Sequence, residues 1–422
     1  MVVPLTPYYD EGGVTLYLGD CREVMRMLPD ASVDAIVTDP PYELGFMGKG
    51  WDASGIANSV EVWREALRVL KPGGHLAAFG GTRTHHRMAC AVDDAGFEIR
   101  DSLCWLYGSG FPKSLDVIKA IDRAAGAERE IVGITGRDGS RFQKFKEQDG
   151  NPRAAQSETI TAPATDAARQ WDGWGTALKP AYEPIVLARK PLAGTVAANV
   201  LAYGTGAINV DGCRVGTTDD LNAGAGDYSQ PEGRWPANVL LDEEAAALLD
   251  EQTGVLSAPR SNGRRGVSGV FEDGLGPIAQ QPGRGDDGGP SRFFYTAKAS
   301  RSEREAGLDG MGETRRSDGR DKDIENPRLR TTARRNDHPT VKPLDLMAWL
   351  CRLVTPPGGL ILDPFNGSGS TGLAALDGGF RYIGIDLDQH YLDITRERIN
   401  HRHLIAPVTR EPSAEAPVGR LL

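Results

Sequence analysis

Apolar positions in the first hundred residues switch between a period of two and a period near 3.6. Thr15-Leu16-Tyr17-Leu18 alternates as a strand does and stops at Gly19-Asp20. Cys21 to Leu28 then places Val24, Met25 and Leu28 at helical spacing, with Pro29-Asp30 as the stop. Asp34-Ala35-Ile36-Val37-Thr38 predicts a short buried strand that runs into Asp39-Pro40-Pro41-Tyr42. From Ser59 to Leu70 the apolar Val62, Trp63, Ala66, Leu67 and Leu70 predict a second helix, closed by Lys71-Pro72-Gly73-Gly74, and His75 to Phe79 reads as the next strand. Phe97 to Leu106 and Tyr182 to Ala188 predict two more strands. Strands alternating with crossover helices imply a parallel sheet.

The alternation returns near the end of the chain. Leu344 to Val354 predicts an apolar helix closed by Pro356-Pro357-Gly358-Gly359. Leu360-Ile361-Leu362 predicts a buried strand, Gly372 to Asp377 a helix, Tyr382 to Ile385 a strand ending at Asp386, and Gln389 to His401 a final helix. Between these two patterned parts the signal fades. Residues 113–178 are polar, with short helical patches. Residues 194–300 hold three strand-like pieces, Ala207 to Val210, Asn238 to Leu241 and Phe293 to Thr296, among Gly-rich loops. Segments 258–292 and 309–336 combine Arg, Gly and Asp with few apolar residues and are expected to be mobile without a ligand.

Composition narrows the class. The 422 residues suffice for about two to three domains and a substantial core. With 40% hydrophobic and 25% charged residues, a wholly disordered, coiled-coil or collagen-like chain is excluded. The net charge of −10 excludes a protein that coats nucleic acid through bulk positive charge. Cys21, Cys90, Cys104, Cys213 and Cys351 are odd in number and form no CxxC pair, which argues against a disulfide framework or a zinc site and for a reducing compartment. The N-terminal residues do not read as a signal peptide, and no apolar run approaches the roughly 18 residues of a membrane span. A soluble, cytoplasmic protein with no metal and no membrane partner is expected.

Two motifs carry chemistry. The first is the run Asp363-Pro364-Phe365-Asn366-Gly367-Ser368-Gly369-Ser370-Thr371, set between a buried strand and a helix. Its glycines let a ligand approach the backbone, whose amides can face it. Asp386, 19 residues after Gly367, ends the next strand at the spacing that suits a ribose diol on a doubly wound sheet. The run is neither a Walker A sequence nor GxGxxG. The second motif is Asp39-Pro40-Pro41-Tyr42. Its prolines fix the backbone beyond a buried strand, so a carboxylate and the Pro40 carbonyl lie side by side and suit the two hydrogens of one amine. Tyr42 offers a flat face on which a ring can stack.

Together these motifs resemble the DNA amino-methyltransferases that use S-adenosyl-L-methionine. Their order, catalytic motif before cofactor motif with a long region between, is similar to the permuted class β of that family. Gly19-Asp20 resembles the family's acidic motif at the cofactor adenine, and His338-Pro339-Thr340-Val341-Lys342-Pro343 resembles the motif that precedes its cofactor loop. The resemblance covers about residues 14–112, 180–193 and 337–400. It implies a doubly wound, Rossmann-like α/β sheet, circularly permuted. The catalytic half would span 1–112, a polar insertion 113–179, a returning strand 180–193, an inserted target-recognition region 194–300, an Arg-rich linker 301–336, the cofactor half 337–402 and a tail 403–422.

The resemblance further implies that Asp39 and Pro40, backed by Pro41, hold the target amine and that Tyr42 stacks on the flipped base. Asp363, Pro364, Phe365, Asn366, Gly367, Ser368, Gly369 and Thr371 would cradle S-adenosyl-L-methionine, with Asp386 on its ribose, Asp20 near its adenine, and Asp39, His338, Thr340 and Lys342 contributing. Double-stranded DNA would be the substrate, and a separately acting restriction nuclease and a second copy of the chain the partners. Asp rather than Ser at position 39 favours adenine N6 over cytosine N4. RNA or protein-glutamine amino-methyltransferases carry Asn at that place, and a vestigial DNA-binding module would not keep Asp39, Tyr42 and Asp363 together. In the region 194–300, which holds 8 basic against 14 acidic residues, Arg214, Arg234, Arg264 and Arg265 are the leading DNA contacts, with Arg260, Arg284, Arg292 and Trp235 behind them.

Overall fold

A computed structural model describes residues 6–44, 54–108, 110, 114–135, 158–217, 233–256, 288–298, 301–313 and 334–405. The chain divides into two compact units, one made of Met1–Gly108, Tyr182–Thr314 and Arg334–Leu422, the other of Ser109–Ala181 and Arg315–Ala333. Twelve strands are numbered in chain order: β1 (Tyr9–Glu11), β2 (Val14–Leu18), β3 (Val33–Thr38), β4 (Leu70–Phe79), β5 (Glu98–Leu106), β6 (Ile131–Thr135), β7 (Glu158–Thr161), β8 (Tyr182–Arg189), β9 (Val239–Asp242), β10 (Tyr295–Ala297), β11 (Leu360–Asp363) and β12 (Arg381–Asp386).

In the first unit ten of these form one sheet in the order β1-β2-β12-β11-β3-β4-β8-β5-β9-β10. From β2 to β4 every neighbour is parallel. All six residues of β3 are buried, as a strand covered on both faces requires. Ala35 and Val37 face a core that contains Phe79, Tyr382 and the helix Leu344–Val354 through Leu346, Trp349 and Leu350. Ile36 faces a second core, built on the helices Cys21–Met27 and Val60–Val69 through Val24, Met25, Val62, Trp63 and Ala66. Helical layers on both faces make the sheet doubly wound, so the α/β fold expected from the pattern is the fold observed.

The departures have physical reasons. β8 runs antiparallel to both β4 and β5, so the sheet is mostly rather than wholly parallel. Ser109–Ala181, between β5 and β8, belongs to the second unit. Tyr182 pairs with Leu106, and β8 therefore begins at the edge where β5 ends. The expected strand from Ala207 to Val210 is absent: it is a turn leading into a short 3-10 helix, Asp211–Cys213, and its apolar residues follow the helix Val196–Tyr203, which Gly204 ends in a left-handed conformation (φ 73°). The helix His85–Asp94, with an apolar stripe of only Met88, Ala91 and Val92, carried too weak a period to be anticipated. The same holds for Glu243–Thr253, where Ala246 is buried. The other predicted elements form within a few residues of their expected ends.

In the second unit β6 and β7 pair antiparallel, and the helices Val117–Ala124 and Asp166–Gln170 pack together. The buried Asp122 carboxylate joins them: it accepts from the Ala164 and Thr165 amides, the Thr165 hydroxyl and the Arg129 guanidinium. Trp171 and Trp174 pack edge to face, their ring centres 5.2 Å apart. The segments 258–292 and 309–336 fall largely outside the described residues. Among the described residues no helix is long and apolar enough to cross a membrane.

Candidate active site

Four adjacent parallel strands deliver a carboxylate to one edge of the sheet. β3 leads into Asp39, β11 and β12 end in Asp363 and Asp386, and β2 leads through Gly19 into Asp20. The chain leaves β3 for β4 on one side and leaves β11 for β12 on the other. That reversal opens a crevice beyond the strand ends, the usual ligand position in an open α/β sheet.

Asp363 sets the floor of this crevice. Its Oδ1 accepts from the Thr38 hydroxyl (2.6 Å) and the Phe365 amide (3.0 Å), and its Oδ2 from the Thr371 hydroxyl (2.6 Å). Burial pushes its pKa up to about 6 against those three donors. Asn366 is likewise occupied by its own fold: its amide donates to the Gly367 carbonyl and Thr395, and its oxygen accepts from Tyr382. Gly367 (φ 52°) has no room for a side chain, since a Cβ would lie 2.8 Å from His338 Nε2. Gly369 (φ 79°) caps the helix Ser370–Asp377, and its Cβ would meet Thr395 at 2.5 Å. Asn336 donates to the Ser368 hydroxyl, and the buried Arg398 donates to the Ser368 carbonyl. The loop is thus held open by close packing on its outer side.

Asp386 receives the Gly367 amide on Oδ2 (2.8 Å) and the Asp388 amide on Oδ1 (2.9 Å), while burial pushes its pKa up to about 7. The Gly19 amide donates to the Asp386 carbonyl, which brings Asp20 to the neighbouring strand end. Asp20 caps the helix Cys21–Met27 and pairs with Arg22, whose hydrogen bonds hold its carboxyl below the usual range.

The second motif forms a buried polar cluster. Lys342 Nζ lies 2.6 Å from Asp39 Oδ2 and 3.4 Å from Glu183 Oε2. Tyr42 donates its hydroxyl to the same Glu183 oxygen at 2.8 Å. Burial alone would push Lys342 down, but Asp39 and Glu183 more than offset this and keep it protonated. Burial and the same two carboxylates raise Tyr42 well above the ordinary phenol range, so it stays neutral. Asp39 Oδ1, in contrast, is buried and meets no donor in hydrogen-bonding geometry among the described residues; the Tyr42 hydroxyl, close to this carboxylate, is spent on Glu183.

Asp39 and the loop line one narrow, half-open cleft with a cavity of about 30 Å³. Its walls include His338, Thr340, Val341, Lys342 and Met347 on one side and Asp363, Phe365, Asn366, Gly367, Ser368, Ser370 and Thr371 on the other. Ser370 Oγ is a second buried polar atom without a partner in it. Two unpaired buried oxygens in one cleft are costly unless a ligand satisfies them. Donors on a ligand would satisfy both oxygens, with Met347 and Phe365 offering apolar contact in the same cleft. Pro40 and Pro364 are buried behind their aspartates, and Asp20 and Asp386 flank the cavity rather than wall it.

Two residues of the site were not anticipated from sequence. Glu183 lies at the start of a strand rather than at its end, where the sequence motifs sit. Ser370 sat inside the recognised loop, where only its position at the first turn of the helix could mark it. Of the basic residues expected to meet DNA, Arg214 is engaged by Asp211 (2.8 Å) and the Gly233 carbonyl and lies over Trp235. Arg234 donates to the Arg292 carbonyl and lies over Phe293. Arg264 and Arg265 lie outside the described residues.

A family model described as DNA methylase, of the N6/N4 type, matches residues 33–397. The chain belongs to this DNA methylase family. Among curated relatives, the putative methylase YubD of Escherichia coli (strain K12) is 47% identical over 62 residues, 15% of this methylase and 27% of YubD. The type II methyltransferase M2.DpnII of Streptococcus pneumoniae is 48% identical over 62 residues, 15% of this chain and 23% of that one. These matches span about a quarter of the relatives' length. Among solved structures the chain is similar to M1.HpyAVI (TM-score 0.39, 14% identity, 92% of this chain and 98% of that one). It is also similar to the PvuII DNA methyltransferase (cytosine-N4-specific; TM-score 0.43, 13% identity, 93% and 88%). The family assignment rests on the sequence model and not on these weak overlaps.

Proposed function

We propose that the methylase transfers a methyl group from S-adenosyl-L-methionine to the exocyclic N6 amine of adenine at specific sites in double-stranded DNA. The observation that carries this reading is Asp39 Oδ1, a buried oxygen with no donor, at the wall of a cavity whose other side is the Gly-rich loop. When bound, S-adenosyl-L-methionine supplies a methyl group on a positively charged sulfur. Phe365, Gly367, Ser368, Ser370, His338 and Thr340 would hold it, with Asp386 for the ribose and Asp20 toward the adenine.

The chain's own contribution follows from its geometry. Lys342 occupies Asp39 Oδ2, so Oδ1 is the oxygen left to accept a hydrogen from a target amine. With the Pro40 carbonyl as second acceptor, the amine nitrogen keeps its lone pair out of the ring and available for attack. As that nitrogen takes the methyl group and gains positive charge, the adjacent carboxylate stabilises it, and the nitrogen then releases one of its two protons to solvent to leave the neutral methylamine. Tyr42 stays a neutral phenol and offers its face to the extruded base, which offsets part of the few kcal/mol that unstacking costs. Asp at position 39 supports adenine over cytosine. The type II relatives motivate a search for a separately acting nuclease.

The test is to incubate unmethylated DNA with the protein and methyl-labelled cofactor and to separate the digested nucleosides. Label in N6-methyldeoxyadenosine supports the proposal. Label in N4-methyldeoxycytidine assigns the other base, and unlabelled DNA despite cofactor binding overturns the catalytic reading.

A further inference from the structure

The site contains one charged group that neither the cofactor loop nor the catalytic motif accounts for. Glu183 enters from β8, the antiparallel strand, and its Oε2 takes both the Tyr42 hydroxyl (2.8 Å) and Lys342 Nζ (3.4 Å). Lys342 in turn holds Asp39 Oδ2, and its ammonium sits 5.3 Å from the Tyr42 ring centre and 4.9 Å from that of Phe79. Neither Glu183 nor Lys342 is on the surface: their side chains are 20% and 6% exposed. One carboxylate therefore touches the stacking ring directly and the amine acceptor through a single ammonium.

We propose that Glu183 is a positioning residue for methyl transfer, fixing Tyr42 and Asp39 relative to each other. This rests on the reading of Asp39 as the amine acceptor. Glu183 does two separable things. Its hydrogen bond holds the Tyr42 ring by the hydroxyl end, which sets the plane on which the extruded base lies. Its charge makes the cluster of Asp39, Lys342 and Glu183 two anions against one cation. Without it, Lys342 would neutralise Asp39 one to one, and the field that favours positive charge on the amine nitrogen would be lost. Lys342 shared between two carboxylates also keeps Asp39 from turning its second oxygen toward the amine.

The two roles separate under two substitutions. Glu183→Gln keeps an oxygen that can accept from the Tyr42 hydroxyl but removes the charge; Glu183→Ala removes both. With full-length protein we expect Glu183→Gln to lower kcat roughly ten- to a hundredfold while KM for DNA stays near wild type. Glu183→Ala should lower kcat at least as far and also raise KM for DNA. Tyr42→Phe, which loses only the hydroxyl, should raise KM for DNA with the smaller change in kcat. In all three, affinity for S-adenosyl-L-methionine measured by calorimetry should stay near wild type, because Glu183 does not wall the cofactor cavity. Wild-type kcat in Glu183→Gln overturns the proposal, as does a loss of cofactor affinity that parallels the loss of kcat. If wild type itself labels no base, the functional reading has failed; if wild type and Glu183→Gln label DNA equally, this inference alone has failed.

Discussion

The crevice is lined by two Asp-Pro steps, at 39–40 and 363–364, each just beyond a buried parallel strand and on neighbouring strands. Their environments are opposite. Asp363 has three donors on its two oxygens and none to spare, and Thr38, which precedes the other aspartate, is one of them. Asp39 has one oxygen on Lys342 and one without a donor among the described residues. A saturated buried carboxylate holds a loop in shape; one with an unmet acceptor is arranged for something that arrives. The same dipeptide at the same place in the fold thus serves structure on β11 and chemistry beyond β3, and the partners decide which.

The sharpest way to break this comparison is to remove each side chain. Asp39→Ala should cut methyl transfer by about a thousandfold or more while cofactor affinity changes only a few-fold, read by labelled transfer and by calorimetry. Asp363→Ala should behave the other way. It leaves two buried hydroxyls and an amide without their acceptor, costing about 2–4 kcal/mol of stability in denaturant titration and loosening cofactor binding with it. Gly367→Ala tests the loop without touching either aspartate. A left-handed backbone and a Cβ 2.8 Å from His338 Nε2 should weaken cofactor binding roughly tenfold, at a stability cost of about 1–2 kcal/mol.

A gentler probe is pH. The Asp386 pKa of about 7 in the folded protein lies above its unfolded value near 4, so the folded state binds the extra proton. Its contribution to stability is therefore complete below about pH 4 and is lost as pH rises through about 7. The melting temperature should fall over that window, less so in Asp386→Asn. Bound cofactor, by donating hydroxyls to the ionised carboxylate, should shift the window downward. The smallest effect is expected from the basic residues of the region 194–300. Arg264→Ala with Arg265→Ala should raise KM for DNA several-fold and lower the salt dependence of binding by about two units of slope, leaving cofactor affinity unchanged.

What was legible in the sequence and what was not follows from the same physics. Strands such as β3 and β11 are covered on both faces and so are unbroken apolar runs, and the motifs sit at their ends where the period stops. Asp39, Asp363 and Asp386 could be placed at one edge for that reason. The direction of β8 could not be read, because an apolar run is the same in either sense. With the direction went Glu183, which reaches the site only because β8 begins at the edge where its neighbours end. Ala207 to Val210 looked like a strand because short apolar runs do not distinguish strand from turn, and no neighbour in the sheet pairs with it. The separation of roles between Asp39 and Asp363 was also invisible, since it depends on Lys342, 303 residues away, and on Thr371.

The central claim is that Asp39 presents its unpaired oxygen to the target amine while the loop around Asp363 holds the cofactor. Wild type and Asp39→Ala should be compared in one experiment, with cofactor affinity and methylated nucleosides measured on the same preparations. Cofactor affinity should agree within a few-fold, with N6-methyldeoxyadenosine from wild type and about a thousandfold less or none from the variant. Methylation by Asp39→Ala at a rate near wild type would contradict it.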